Sequence, residues 1–583
     1  MSRSASHIIH SLAAALAALL LAACAADRCD WVDADSEEGA TYLSLRVFVS
    51  GDGAATRADG ANDEAPEGRL PGNPYENAID NITIFFAKYN GDAIPENGAA
   101  DKDKIVFKDE DKLYIDFKSP KYRVYYNEDG SRTVLIRLEN TTTFDSGQYS
   151  MVVVANLGDL RDKVHDIDEL RQKSAEYAWR DMPDDGIQKI GFVMSSFDDA
   201  KGGVMSKVIG SPDRDGSKDN PYYGECTLMR LASRIDLCCS QSTGDYGKYT
   251  PAADGKDNSV VYEVVNESDE EPSGTVYLLA AEMVNSLSKP SYILRHTYKS
   301  SDIDNLTKDQ MPLGLSCGGL MTADGKKEEL NYVIDPNFLK KNESTSEATL
   351  NEFFGSTRPE AIKNDVKTDD VNRFKGNSLV KKFIKADLTV ESYEGKTFDR
   401  SLTIGYVNEN LFKAGLSADK FATGLCFKAV FVPHVVYKEA PEDNETDETS
   451  LAEKKDTDYA YGKDFWHVHV DTEDGGDDVY FSKEEAALAY KTAHSGTMTH
   501  HPGGVSYYHI WIRHSKVNDE DEGHAMYYGI VRNNIYRVLL TFKGPGFNQP
   551  FESDIPTDVV WKIYTRGWNL REWNMVEVPD VQL

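Results

Sequence analysis

Residues 41–50, TYLSLRVFVS, alternate strictly: Leu43, Leu45, Val47 and Val49 share one face, and Tyr42, Ser44, Arg46, Phe48 and Ser50 share the other. A period of two with four aliphatics in register predicts a half-buried strand. Residues 51–74, GDGAATRADGANDEAPEGRLPGNP, abolish the pattern. They are rich in glycine and proline, hold almost no large apolar residue, and predict an exposed linker open to nicking. Order resumes at Glu76, where Ile79, Ile82, Ile84 and Phe86 mark a strand and Asn90-Gly91-Asp92 a hairpin turn.

Further strands are predicted at 133–138, 149–156 and, closing a first domain, 226–239 (CTLMRLASRIDLCC). A helix is predicted over about 159–180, with Val164, Ile167 and Leu170 at helical spacing. Residues 241–258 are polar and rich in Gly and Asp, which suits a join between two domains. Beyond them, strands are predicted at 275–286, 401–407, 425–437, 506–513, 534–542 and 558–565. The Ala-rich stretch 483–493 reads as a helix opened by a capping box at Ser482 to Glu485. The acidic stretches 440–448 and 471–478 read as solvated loops. In the last segment Trp568 and Leu570, then Trp573 and Met575, repeat at period two with a shift between the pairs, as a bulge produces.

The chain has 583 residues, enough for two or three domains with a sizeable core. Its net charge of −33 excludes nucleic acid and anionic lipid as partners that need a basic surface, while leaving loose calcium uptake by acidic loops open. The cysteines, Cys24, Cys29, Cys226, Cys238, Cys239, Cys317 and Cys426, contain no CxxC pair, so no thiolate zinc site is expected. Cys238 and Cys239 read as small buried hydrophobes on opposite strand faces.

Residues 1–24, MSRSASHIIHSLAAALAALLLAAC, have Arg3 ahead of an apolar core from Ile8 to Leu21, too short for a comfortable span. Leu21-Ala22-Ala23-Cys24 resembles the lipobox of bacterial lipoproteins. That resemblance implies a lipoprotein signal peptide over 1–24, cleavage before Cys24 and lipidation of its thiol.

Chemistry is sparse. Gly314-Leu315-Ser316-Cys317-Gly318 matches G-x-S-x-G, but GLMTADGKKEE after it offers a turn instead of the required helix. Ser316 therefore reads as a turn residue and the protein as no enzyme. Asp213, Asp215, Ser217 and Asp219 alternate like calcium ligands, yet Lys218 and Gly224 stand where an EF-hand needs glycine and glutamate. His467 and His469 share a strand face, and His500-His501 follow in TMTHHPGG. These make a metal site only if the fold gathers them, so no metal and no cofactor is assigned.

Several stretches in order resemble the fimbrillins of the type V fimbriae of Bacteroidota, most nearly the major subunit family of the short (minor) fimbrium. They are ENAIDNITIFFAKYNGDAI, MVVVANLGDL and MRLASRIDL, then NYVIDPNF and IGYVNENLFKAGLSADKFATGLCFKAVFVP, then YYGIVRNNIYRVLLTFKGPG and the Trp-rich end. The resemblance implies a mainly β protein: two transthyretin-like β-sandwich domains with a few short helices. It divides the chain into a signal peptide (1–24), a propeptide with a removable strand and cleavable loop (25–57), an N-terminal domain (58–240) and a C-terminal domain (241–583).

The implied function is a structural shaft subunit of a cell-surface fimbrium, exported as a lipoprotein to the outer membrane and serving adhesion and biofilm formation. An arginine-specific protease removes the strand carrying Leu43, Leu45, Val47 and Val49. The expected cut lies between Arg57 and Ala58, with Arg69 as rival and Arg46 shielded inside the strand. The void then accepts the C-terminal strand of a neighbour, with Trp568, Leu570, Trp573 and Met575 as candidate donor residues. Exchange of this kind runs head to tail and does not close, so it builds a filament. Implied partners are identical subunits, accessory, tip and anchor subunits, the protease and surface receptors. Two rival readings stand beside it: an accessory or tip subunit, and a glycan-binding surface lipoprotein.

Overall fold

A computed structural model describes residues 41–569 apart from 50–68, 72–73, 88–104, 120, 127–130, 139–147, 183–188, 197–205, 210–214, 241–246, 251–258, 265–271, 288–290, 295–296, 300–330, 344–345, 368–390, 394–395, 414, 443–446, 472–475, 515–526 and 553–557. The chain is mainly β, with β-sandwich character and short helices.

The strands that build the two cores are, in order, β1 Thr41–Val49, β2 Arg69–Pro71, β3 Asn81–Ala87, β4 Lys112–Asp116, β5 Arg123–Tyr126, β6 Arg132–Leu138, β7 Gln148–Ala155, β8 Met194–Ser196, β9 Ser206–Ile209 and β10 Tyr222–Arg230. They continue as β11 Ala232–Cys239, β12 Lys248–Thr250, β13 Ser259–Val264, β14 Gly274–Val284, β15 Arg400–Asn408 and β16 Gly424–Pro433. The last are β17 Phe465–Val470, β18 Asp477–Phe481, β19 Thr497–His501, β20 Val505–Trp511, β21 Asn534–Phe542 and β22 Val559–Asn569.

The first sandwich is a nine-stranded sheet in the order β4-β3-β7-β8-β10-β1-β6-β5, with β9 filling in beside β8 between β7 and β10. It folds over one core, to which β1, β3, β6, β7 and β10 all contribute. The second sandwich sets the five-stranded sheet β2-β22-β21-β11-β15 against the five-stranded sheet β12-β13-β14-β16-β20. Alternate residues of both sheets fill its core: Ile235 and Leu237 from β11, Val538 and Leu540 from β21, Val276 and Leu278 from β14, Phe427 and Phe431 from β16. A three-stranded sheet, β18-β17-β19, packs one face on helix Glu484–His494 through Val468, Val470, Phe481, Ala486 and Ala487.

Three expectations are corrected. Residues 226–239 form two strands, not one, and the chain changes sheets at Leu231, while Lys248–Thr250 joins a sheet of the second sandwich. The apolar pattern runs through this point unbroken because Arg230 and Arg234, on either side, are themselves buried.

Arg234 Nη1 donates to Glu76 Oε2 at 2.7 Å and Nη2 to Asp236 Oδ2 at 2.8 Å. The Tyr406 hydroxyl donates to Glu76 Oε1 at 2.6 Å. Arg230 joins Asn77 and, at 3.3 Å, Asn533. A buried charge needs such partners, and these bind the residues after β2 to both sandwiches.

The helix expected over 159–180 shrinks to Ile167–Gln172. Asp166 caps it by accepting from Glu169 N at 2.8 Å. Sheet bonds to a distant segment end it, since Ser174–Ala175 pair with Ser291–Tyr292. Val164, Ile167 and Leu170 are buried as their spacing suggested. The capping box at Ser482 does not form; Lys483 occupies the cap position and donates no side-chain bond to the helix.

Candidate functional site

The site begins with β1. Although it precedes all the other described strands in the chain, it lies inside its sheet. It runs antiparallel to β6, from Thr41 opposite Leu138 to Val47 opposite Arg132. It runs parallel to β10, from Leu43 opposite Tyr222 to Val49 opposite Leu228. A parallel neighbour cannot be joined by a tight turn, so β1 is held by a strand some 180 residues further along the sequence, a pairing no local pattern announces.

Leu43, Leu45, Val47 and Val49 are 0–2% exposed. Burying four such side chains is worth roughly 6–12 kcal/mol as an upper figure, comparable to the whole stability of a domain. Gly224 on β10 makes the room: a Cβ there would meet Leu45 Cδ1 at 3.3 Å, Met151 Cε at 3.4 Å and Leu43 Cδ1 at 3.6 Å. Sequence reasoning missed it, though an isolated glycine within a strand commonly marks a close approach.

The opposite face of β1 is half-buried. Arg46 Nε donates to Ser131 Oγ at 2.9 Å, and its guanidinium lies 4.8 Å from the Phe48 ring centroid. Paired with Thr133 on one side and Glu225 on the other, Arg46 is no open chain for a protease.

Cys24, Arg57, Ala58, Leu570, Trp573 and Met575 lie outside the described residues, as do Ser316 and Asp213. Trp568 stands in β22, inside its own sheet. There β22 runs antiparallel to β21 for nine residue pairs and parallel to β2 for three, with Leu70 opposite Trp568. Arg69 is the first residue of β2, opposite Gly567. Of Trp568, Leu570, Trp573 and Met575, the structure thus places one, and it does not bring it to β1.

Asp215 accepts from Ser217 N at 2.8 Å in an ordinary polar turn. His467 and His469 share a face of β17, and both ring nitrogens reach the same oxygen of Asp478 on β18: His467 Nε2 at 2.7 Å and His469 Nδ1 at 2.8 Å. Burial opposes ionisation of Asp478, but the bonds and charge of the two histidines outweigh it and hold its pKa below the usual carboxylate range. The same carboxylate, with Asp471 beside it, raises the pKa of His469 against a smaller effect of burial.

His500 turns instead to Asp464, at 3.2 Å. His501 is buried, stacked on Phe465 with ring centroids 4.5 Å apart, and burial pushes its imidazole down to about 3. Asp478 was not singled out beforehand because it sits at the end of an acidic stretch that reads as a solvated loop.

Residues 499–566, from the end of β19 through most of β22, match the family model "Major fimbrial subunit protein type IV, Fimbrillin, C-terminal". That part of the chain is fimbrillin-like. No match was found among curated proteins. Among solved structures, the chain is similar to a candidate cell adhesion protein of Parabacteroides distasonis, with 12% identity over 91% of this chain and 100% of that one, TM-score 0.35. It is also similar to a fimbrilin (FimA) of Porphyromonas gingivalis, with 12% identity over 91% and 98%, TM-score 0.30. The C-terminally truncated tip fimbrial protein Mfa3 of Porphyromonas gingivalis gives 9% identity over 91% and 100%, TM-score 0.28. Likenesses this low decide neither function nor partner.

Proposed function

We propose that this chain is a structural, non-enzymatic subunit of a cell-surface fimbrium, made as an exported lipoprotein and polymerising by exchange of β1 for a strand of a neighbouring subunit. The observation that carries the reading is the position of β1: an early strand, fully buried on one face, held between two strands of its sheet, and followed by a Gly/Pro-rich segment containing Arg57. The fimbrillin match over 499–566 supports it independently.

While β1 stays covalently attached, its local concentration beside the slot is high. A cut between Arg57 and Ala58 turns it into a separate peptide, and a competing strand then wins by mass action. Arg57 is a better substrate than Arg69, whose backbone is already paired in β2. In this reading Trp568 stays with its own sheet, and the donor is the segment after Asn569, with Leu570, Trp573 and Met575 filling pockets that Leu43, Leu45, Val47 and Val49 vacate. Two domains, divided at Leu231, then serve two ends of a head-to-tail contact. A shaft position fits a subunit that has both a slot and a terminal donor segment.

The test is the intact mass and N-terminal sequence of protein sheared from cells. A chain starting at Ala58 in high-molecular-weight material is expected, and Arg57→Ala should keep the subunit monomeric. A monomer still carrying acylated Cys24 would overturn strand exchange and bring forward a permanently anchored, glycan-binding lipoprotein.

A further inference from the structure

The three-stranded sheet beside the second sandwich has two faces of different chemistry. One packs on helix Glu484–His494. The other begins in the sandwich core, with Phe465 and Tyr480 against Phe431, and ends toward solvent at His467, His469 and Asp478. We propose that His467, His469 and Asp478 form a zinc-binding site at this rim. The proposal is independent of strand exchange.

The strand geometry explains why the three meet. His467 and His469 are two apart on β17 and so project to one side, and Asp478 is paired directly across from His469 on β18. Their ligand atoms all lie within 4.8 Å of one another. Two imidazole nitrogens and one carboxylate oxygen are a donor set that suits zinc, leaving further positions for water. Side-chain exposures of 15% for His467, 36% for His469 and 27% for Asp478 leave the group open on one side.

Three neighbours shape it. Asp471 Oδ1 lies 3.4 Å from His469 Nε2, on the far side of the ring from Asp478. A carboxylate there faces the Nε2 N–H as its acceptor and leaves Nδ1 to face the ion, the outer arrangement common to zinc-bound histidines. The His467 ring is stacked on Tyr480 with centroids 5.3 Å apart, which fixes its plane. Gly476, at φ +110°, clears the space for His469: a Cβ there would meet His469 Cε1 at 2.6 Å.

Without metal, the two rings donate N–H bonds to one Asp478 oxygen at 2.7 and 2.8 Å. Zinc replaces those protons. With metal–ligand bonds of about 2.0–2.1 Å, a tetrahedral set separates its ligand atoms by roughly 3.3 Å. The two His–Asp separations therefore open by about half an ångström, while the ligand atoms, all within 4.8 Å of one another, settle to that common spacing through χ adjustment at the half-exposed His469.

The experiment is equilibrium dialysis of the chelator-treated full chain against Zn2+, with Co2+ absorption as a second reading of coordination. One ion per chain is expected, with the visible bands of a nitrogen- and oxygen-bound Co2+. His469→Gln and Asp478→Asn should abolish binding; His500→Gln should leave it intact. Asp471→Asn, which touches no ligand atom, should weaken it roughly 10–100-fold. His469→Gln is the safest variant to fold, because the side chain is partly exposed, and circular dichroism checks it. No bound zinc in the wild-type chain, or undiminished binding in His469→Gln, would overturn the site and leave a hydrogen-bonded His–Asp–His cluster.

Discussion

β1 and β22 are the first and last described strands, and each is built into a different sandwich in a different way. β1 has a partner along seven residues on each side, and its inward face is closed over by the core. β22 has nine pairs with β21, and among the described residues only the three-residue β2 covers its other edge. Taking away β1 opens a slot in the middle of a sheet, with two rows of unpaired backbone groups and an apolar floor. Taking away β22 would uncover one edge of β21 and part the short β2 from the sheet. A slot of the first kind demands refilling, because exposed interior edges pair with whatever strand is offered.

The contrast can be attacked at several strengths. The largest effect belongs to Leu45→Asp, which puts an unpaired carboxylate into the core under β1. It should cost the first sandwich roughly 4 kcal/mol or more, seen as early loss of that transition in urea while the second sandwich keeps its own. Arg234→Ala comes next. It removes the guanidinium that Glu76 and Asp236, both buried, share, and should cost about 3–5 kcal/mol. Because that network ties the segment after β2 to both sandwiches, separate probes of the two sandwiches should then give separate midpoints.

His501 gives a pH test of the second sandwich alone. Its folded pKa, about 3, lies below the 6.5 of the unfolded chain, so its neutral form is favoured in the fold. Stability on its account is full above that unfolded value and falls as pH drops from there toward the folded pKa, by about 1.4 kcal/mol per pH unit. His501→Phe should flatten that acid limb of a stability–pH curve. His469 acts in the opposite sense: its raised pKa gives stability below the unfolded value that is lost as pH climbs through the folded one.

Smaller effects sharpen the picture around β1. Gly224→Ala should cost about 1–3 kcal/mol by crowding Leu45, Leu43 and Met151. Arg46→Ala, on the outer face, should cost only about 1 kcal/mol for its bond to Ser131. Both are read as shifts in the first sandwich's urea midpoint.

Strict alternation made β1 legible within a residue or two, and short β-branched and aliphatic runs did the same for β7, β15 and β21. The pairing of those strands was not legible, because β1 lies beside β10 through contacts across most of the first sandwich. Leu231 also hid its change of sheet: Arg230 and Arg234 are buried by partners at Glu76, Asn77 and Asn533 that no local window contains. At 159–180 the helical spacing correctly marked buried positions, but Lys173 to Ala175 gained more from backbone bonds to Ser291–Ile293 than from another helical turn. Of the rim site, the two histidines on one face were visible; Asp478 became visible only once β18 set it opposite His469.

The turn of the chain at Leu231 carries a mechanical consequence. β10, which walls the slot of β1, continues directly into β11, which lies parallel to β21 over four pairs, and β21 carries β22. Tension applied between the slot and the β22 end would run along covalent backbone from one sandwich to the other. It would then load the β11–β21 and β21–β22 ladders lengthwise, so that many hydrogen bonds share the strain instead of peeling apart one by one. A subunit wired in this way behaves as a tie rod, and the four-pair β11–β21 ladder is the shortest paired link along that path.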